Sequence, residues 1–566
     1  MQAKEIDKKK IAVLWICAVL FSFLLSLKTT SSPFCHRMDY NDSPIYKYIG
    51  AALLQGKIPY IDIFDHKGIY FYFICAVGCF INIHWGAWLL LWIVTFGMVV
   101  CIYKTSRKFL GIKESIILTL CIGIGICATF WQGAIPDTYS LYASLLSLFL
   151  VSDYFIKYNL SKRSLFLIGI LSGTSFWIKP NMVLGTFILC FCIIVHMAIL
   201  KRWSLIRDCF LIFFIGFIVA SLPTVIWLQV HGAFNAMIED YFLYNSRYIS
   251  FYGTTTYRVI AFSLFVSRPE VFFALIGFIV ILILSLRNSN QLHILKHSPL
   301  LWCGMVTFSL CLIEACLPGN DYQQYTLLLY PSLLILWIWL IRQYKTIFRN
   351  KRVLYLVAFV VIAITVTVDC AYAYRFGKEF YTKPEQEDEE IDYIKNITKN
   401  GDTIQVISPY YTGLYFATEC PSATKYIYVQ SNHFISIDLS EDHDIEWWNQ
   451  FFTAIKNTSP RMLIVERNFK KEFEYITELL DNPFRDYKYV GCSNNLMFYV
   501  LPRNELEEVS DFSSDIELED NSLLSFSISQ EMIDAYKRGE ISMDAFLDLF
   551  DKELFKETGI RQEKNR

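Results

Sequence analysis

The sequence predicts a polytopic α-helical membrane protein of about eleven transmembrane helices with outer interfacial helices and a C-terminal α/β extracytoplasmic domain. Three observations predict it. First, the 566 residues are 54% hydrophobic, 17% aromatic and only 18% charged, which argues against both a disordered chain and an ordinary soluble domain. Second, apolar runs of bilayer length recur up to residue 372. Third, Lys and Arg crowd into alternate connections between those runs. The formal net charge of −2 leaves no basic surface for nucleic acid, so no such partner is expected.

The basic N-terminus leads into an apolar run from Ile11 to Leu27. No small-residue cleavage site follows, so the run reads as an uncleaved first helix. Further spans are expected at 86–102, 115–131, 138–156, 164–178, 181–199, 209–228, 269–286, 299–316, 325–341 and 353–372. Lys104, Arg107, Lys108 and Lys113 share one connection; Lys201, Arg202 and Arg207 share another, and Arg342, Lys345, Arg349, Lys351 and Arg352 a third. The short intervening connections at 132–137 and 317–324 have no Lys or Arg. This asymmetry predicts a cytoplasmic N-terminus. Lys28, Arg37, Lys47, Lys57 and Lys67 in the first outer loop, 28–85, run against the bias without reversing it. A span at 69–83 would turn every later basic cluster outward, so that stretch is expected to lie at the outer interface.

The 16 cysteines sit mostly within apolar runs, as packing residues do. Cys420 and Cys492 lie in the polar C-terminal region, where a disulfide would require suitable geometry. From 373 to 503, β-like runs at Thr403–Ser408, Ala423–Val429, Met462–Glu466, Tyr487–Cys492 and Leu496–Leu501 alternate with helical ones at Ile391–Thr398, Glu446–Ile455 and Lys470–Leu480. No nucleophile elbow, phosphate loop or metal motif marks this domain, which reads as a structural or substrate-gating cap. Residues 505–520 carry eight acids and no bases, as a solvated linker does. Within 504–566, the tail from Ser529 then forms two short amphipathic patterns around Gly539.

The first outer loop concentrates the chemistry. Pro44 opens a helical pattern with Ile45, Ile49, Ala52 and Leu53 on one face, stopped by Gly56. Asp42 is either its N-cap or, with Ser43 as the cap and Pro44 at the first helical position, an uncommitted carboxylate beside a helix N-terminus. The second arrangement suits a general base. Asp39 either shares that role or is a solvated loop acid. Lys67 is either an anchor at headgroup depth or a point charge for a lipid phosphate. His66 is a proton carrier or, preferably, a hydrogen-bonding brace, with Asp65 beside it.

The segments Asp39-Tyr-Asn-Asp42-Ser-Pro and Asp65-His66-Lys67-Gly68 resemble the first loop of the GT-C superfamily of polyprenyl-phosphate-dependent glycosyltransferases. Lipid A aminoarabinose transferases and protein O-mannosyltransferases are the members most like it. The resemblance continues through Trp131-Gln-Gly-Ala-Ile-Pro-Asp137, Gly169-Ile-Leu-Ser-Gly173 to Lys179, and Leu317-Pro-Gly-Asn-Asp-Tyr322-Gln-Gln-Tyr325, all on the expected outer face. It implies Asp42 as catalytic base and Lys67 as ligand of the donor phosphate. It also implies a further carboxylate at Asp137, which is otherwise the cap of a helix beginning at Thr138, and Lys179 as a second ligand of the donor phosphate, otherwise an outer-leaflet anchor before Pro180; Tyr325 is a candidate at a later outer turn. Arg247, Arg258 and Arg268 are candidates for phosphate contact.

The implied reaction moves a sugar from a polyprenyl-phosphate donor to a glycan, lipid or protein hydroxyl, with inversion, at the outer face of a bacterial cytoplasmic membrane. Two departures matter. Ser43 stands where many relatives carry a second acid, and Gln324 where they carry a histidine. The first favours a base that works without a cofactor; a divalent metal is not indicated. The alternatives are a lipid or glycan flippase, or a non-catalytic membrane subunit. A flippase of the inverted-repeat kind would show paired broken helices, which the sequence lacks.

Overall fold

In the computed structural model the described residues are 2–35, 42–129, 133–247, 255–286, 298–319, 322–347, 385–429, 442–470, 483–503 and 509–512. Scattered positions between 352 and 368 and between 473 and 480 are also described. The chain forms two compact units, the first ending at Lys383 and the second beginning at Pro384.

The described residues of the first unit are mainly helical. Its described helices of twelve residues or more, in chain order, are α1 (Gln2–Leu27), α2 (Ser43–Leu54), α3 (Ile69–Ile81), α4 (Gly86–Arg107), α5 (Ile112–Thr129), α6 (Pro136–Val151), α7 (Lys162–Phe176), α8 (Leu184–Ile199), α9 (Trp203–Val230), α10 (Thr255–Val266), α11 (Pro269–Leu286), α12 (Pro299–Cys316) and α13 (Tyr330–Ile347). Seven helical stretches among the described residues are long and apolar enough to cross a membrane, and an eighth is formed if α10 and α11, bent by 80°, are one span.

Three of the expected spans fall outside that length-and-composition set for local reasons. The apolar part of α1, Ala12–Leu27, falls below bilayer length. Helix α7 has 15 residues, started by Ser161, whose hydroxyl accepts from the Ser164 amide. It stops just ahead of Pro180, which cannot continue an α-helical ladder. The expected span at 353–372 lies largely outside the described residues.

Helix α7 compensates for its length by packing backbone to backbone on α9. A Cβ on Gly169 would stand 2.1 Å from the Phe213 carbonyl oxygen, and one on Gly216 2.2 Å from that of Phe166. Small residues at such crossings let helices meet in lipid, where burial from water supplies no driving force. Helix α3, the stretch expected at the interface, has 13 residues and is too short to span. It packs along α2.

The second unit contains a four-stranded sheet, β1 (Ile404–Ile407), β2 (Met462–Glu466), β3 (Lys488–Cys492) and β4 (Leu496–Val500), in the order β1-β2-β4-β3. Strands β1 and β2 are parallel, with Ile404 opposite Met462; β4 is antiparallel to both β2 and β3. Helices α14 (Glu385–Ile397) and α15 (Asp442–Thr458) accompany the sheet.

The expected strand Ala423–Val429 is absent. Ala423 and Val429 at its ends donate their amides to the Ile404 and Ser408 carbonyls at 3.0 and 3.1 Å, and between them a buried side chain holds the backbone. The Gln405 amide donates to the Tyr426 carbonyl at 2.7 Å, and its oxygen accepts from the Thr424 amide at 3.2 Å and hydroxyl at 2.9 Å. At those central groups the glutamine takes the place of ladder bonds. Part of the expected linker is also ordered. Phe512 donates its amide to the Val490 carbonyl at 2.7 Å and stacks near Tyr393, so 509–512 covers the outer strand β3. Cys420 and Cys492 are both free thiols.

Candidate active site

The loop between α2 and α3 is stitched internally by two tyrosines. Tyr60 donates its hydroxyl to the Lys67 carbonyl at 2.6 Å. The Tyr72 hydroxyl accepts the Lys67 amide at 2.9 Å and donates to Asp65 Oδ2 at 2.8 Å. Tyr60 adopts φ 71° while its ring is buried, a conformation an ordinary residue holds only when its surroundings impose it. The Lys67 backbone is thereby fixed from both sides.

A second set of bonds ties this loop to the end of α7. Gly68 donates its amide to the Ile178 carbonyl at 3.1 Å, and Tyr70 donates to Trp177 at 3.2 Å. Asn245, beyond a π-helical turn at Ile238–Leu243, donates to the His66 carbonyl at 2.8 Å. Gly68 is required here because a Cβ would stand 2.0 Å from the Trp177 carbonyl oxygen. Replacing Gly68 by Ala is therefore expected to push the two segments apart and lower stability by about 1–3 kcal/mol. Thermal unfolding of the detergent-purified protein measures the loss; an unchanged transition would disprove the tight approach.

Those bonds place Lys67 in the same electrostatic cluster as Lys179, the residue that follows Ile178. Lys179 reaches Asp137 Oδ1 at 2.7 Å and lies 5.0 Å from the centre of the Tyr325 ring. Asp137 is buried in the first turn of α6, which begins at Pro136 and not at Thr138. It therefore does not act as that helix's cap; it is the counter-ion of Lys179, and a buried charge needs such a partner.

Asp42 is the residue preceding α2, so the cap position belongs to it and not to Ser43. Its side chain makes no capping bond, however, and accepts from the Tyr46 hydroxyl at 3.2 Å. The carboxylate thus makes no cap, is half-buried, and lies within electrostatic reach of Lys67, Asp65 and Lys179. Burial pushes its pKa up from the ordinary 3.8, and Lys67 opposes that push. Burial likewise pulls Lys67 below 10.5, opposed by Asp65 and Asp42.

The His66 ring is held well below 6.5 by burial and by the two lysines, so it is neutral. It takes a contact from the Lys67 ammonium on Nε2, while Nδ1 stands 3.7 Å from Asp65. Among the described residues no carboxylate lies within ion-pair distance of Lys67 Nζ; its polar neighbour is the neutral imidazole.

The structure does not bring every candidate together. Arg247 forms an exposed ion pair with Glu239 at 3.1 Å. Arg258 donates to the Leu317 carbonyl, and Arg268 is engaged by Glu270, Gly125 and Thr129. Asp39 lies outside the described residues. Two residues that sequence reasoning missed belong to the cluster: Glu314, in the last turn of α12, and Asn181, beside it. Glu314 had a legible signal, being a lone acid in an apolar run, and a charge at membrane depth is expensive enough to need a reason.

Solved structures share this fold. ArnT of Cupriavidus metallidurans in its apo state superposes with a TM-score of 0.58 at 12% identity, covering 88% of this chain and 98% of that one. The same protein bound to undecaprenyl phosphate gives 0.54 at 12% identity over the same shares. The oligosaccharyltransferase AglB of Archaeoglobus fulgidus, in complex with an inhibitory peptide and a dolichol-phosphate, gives 0.45 at 11% identity, covering 87% of this chain and 75% of that one, too low to bear on the fold.

The chain therefore shares the fold of ArnT. Residues 3–369 match a single family model, and the chain belongs to that family, described as "putative competence-induced protein Ccs4 N-terminal domain". No curated protein matches it.

Proposed function

We propose that this protein is an integral-membrane glycosyltransferase that takes its sugar from a polyprenyl-phosphate donor. One observation carries the reading: a half-buried lysine, Lys67, without an ion-pair partner among the described residues, stands in a loop held against Lys179 and facing an uncommitted carboxylate, Asp42. A buried cation left without a carboxylate is suited to an anion that arrives with the substrate. ArnT, whose fold this chain shares, was solved with undecaprenyl phosphate bound, and that supports a lipid phosphate as the anion.

In the proposed reaction the donor's phosphate sits on Lys67 with Lys179 close by. Asp42 accepts the proton of an acceptor hydroxyl as its oxygen attacks the anomeric carbon from the side opposite the phosphate. The bond from that carbon to the phosphate oxygen breaks, its electron pair leaves with the polyprenyl phosphate, and the lysines stabilise the charge that develops there. The configuration at the anomeric carbon inverts. His66, neutral between Asp65 and Lys67, braces the ammonium. Tyr325 packs beside Lys179 on the same side of the site.

The proposal includes the orientation argued from the basic clusters: an N-terminus in the cytoplasm, about eleven crossings, and the α/β unit outside the cytoplasmic membrane of a bacterium. The acceptor is a glycan, a lipid or a protein.

Transfer of radiolabelled sugar from a polyprenyl-phosphate sugar by the purified protein is the direct test; a preparation that binds the lipid but never transfers would sink the enzymatic reading. The rate should follow a bell against pH. Its acid limb reports ionisation of Asp42 and lies above pH 3.8, because burial raises that carboxyl. Its alkaline limb reports loss of the Lys67 charge and lies below 10.5, because burial lowers that ammonium. A rate that stays flat from pH 4 into the alkaline range removes both roles.

A further inference from the structure

The loop carrying Lys67 is gripped by a second segment to which the proposed reaction gives no role. The π-helical turn Ile238–Leu243 runs directly into Tyr244 and Asn245. A π-helical turn closes on the fifth residue instead of the fourth, which turns the side chains after it to a new face, and such turns gather at functional sites. Here the Tyr241 hydroxyl donates to the Phe176 carbonyl at 2.5 Å, at the end of α7 on which Gly68 lies. The buried Tyr244 ring stands 5.2 Å from that of Phe64, edge to face, and 5.4 Å from that of His66, tilted by 32°. The Asn245 side-chain nitrogen donates to the His66 carbonyl at 2.8 Å and to the Tyr241 carbonyl at 2.7 Å. His66 is thus held twice from one distant segment, its ring by Tyr244 and its backbone by Asn245.

The orientation of that ring matters because of what stands at its edge. An ammonium only donates, so His66 Nε2, which meets Lys67 Nζ, accepts, and the ring proton sits on Nδ1, on the side of Asp65. Flipped about χ2, the ring would offer a carbon where Nε2 now stands. Lys67 ends a flexible four-carbon stem, and a fixed acceptor at its tip narrows where its charge can stand. A misplacement of about 1 Å can cost on the order of 10²-fold in rate.

We infer that Tyr244 and Asn245 are positioning residues that hold His66 in the one orientation in which its ring aims the Lys67 ammonium at the donor phosphate. This rests on the glycosyltransferase reading and adds to it what fixes the phosphate lysine.

The test reads undecaprenyl phosphate binding by the full-length protein in nanodiscs, with undecaprenol as the uncharged control. Tyr244→Leu removes the ring packed on His66 and should weaken undecaprenyl phosphate binding about fivefold, the scale of coupling between residues of one network. Tyr244→Phe keeps that ring and should bind within about twofold of the unmodified protein. Asn245→Ala frees the His66 carbonyl and should lose as much as Tyr244→Leu. Undecaprenol binding should be the same in all three, because that lipid offers Lys67 no charge. In a His66→Leu background, itself weakened to a similar degree, adding Tyr244→Leu should cost less than about twofold more, since no imidazole is left to hold.

Equal losses for both lipids, or the same loss with and without His66, would make the two residues structural supports and overturn the inference while leaving the lipid-phosphate reading intact. A Tyr244→Phe variant as weak as Tyr244→Leu would overturn it as well. If Tyr244→Leu does not fold, Asn245→Ala and its two-lipid comparison decide alone. An unmodified protein that binds undecaprenyl phosphate no better than undecaprenol overturns the glycosyltransferase reading and this inference with it.

Discussion

Asp42→Asn is expected to abolish sugar transfer while leaving a folded protein that still binds polyprenyl phosphate. Removing a positioned general base typically costs 10²–10⁴-fold in rate, and the amide keeps the side chain's shape and its bond from the Tyr46 hydroxyl. The helix start is not threatened, because the Asp42 side chain makes no capping bond to α2. Asn is itself a good residue before a helix. Stability should therefore stay within about 0.5 kcal/mol of the unmodified protein, and lipid-phosphate affinity should rise slightly as a negative charge near Lys67 is lost. Transfer at an undiminished rate by Asp42→Asn would remove the base; a variant that neither transfers nor binds lipid would point to a structural role instead.

Lys67→Met should be the second severe substitution, and its signature differs. Met preserves the apolar stem while deleting the charge, and the bonds that fix this residue run through its backbone, to Tyr60 and Tyr72. The fold is accordingly expected to survive. Loss of a preorganised charge aimed at a leaving group costs about 10²–10³-fold, and polyprenyl phosphate affinity should fall with it.

A second effect follows from the position of Lys67. It is the largest influence holding the Asp42 pKa down against burial. Without it Asp42 keeps its proton to higher pH, so the acid limb of whatever rate remains should move upward. A fall in rate with the acid limb unmoved would mean that Lys67 and Asp42 do not share a site. Lys67→Arg is the milder companion, because the charge is kept while the geometry of its donors changes.

The sequence contained more of this site than of its crossings. Lys67, His66, Asp65 and Asp42 were legible because polar residues crowd one loop between apolar runs, and Asp137, Lys179 and Tyr325 because each falls at a turn beside a span. Arg247 was legible as a charge on the same expected face, yet it forms an exposed pair with Glu239; a face says nothing of distance. The span count suffered from a related weakness. Hydropathy along 164–178 resembles that of a full crossing, but Ser161 and Pro180 confine α7 between them. At Ala423–Val429 the β-like alternation was real, and a single buried glutamine elsewhere in the chain takes the backbone groups between two remaining bonds to the β1 region.

The sequence by itself determined that the chain is a helical membrane protein, that charged and polar residues crowd the stretch from Asp42 to Lys67, and which acids and lysines were candidates. These follow from composition, from the spacing of apolar runs and from turn residues, which are properties of a short window of chain. Only the tertiary structure decided which candidates meet. Lys67 joins Lys179 because Gly68, having no Cβ, lets the loop lie on the Trp177 and Ile178 carbonyls. Asp42 stays available because Tyr46, not a helix amide, takes its carboxylate. Both outcomes depend on atoms brought within a few ångströms by packing between distant segments, and packing of that kind leaves no periodic trace along the chain.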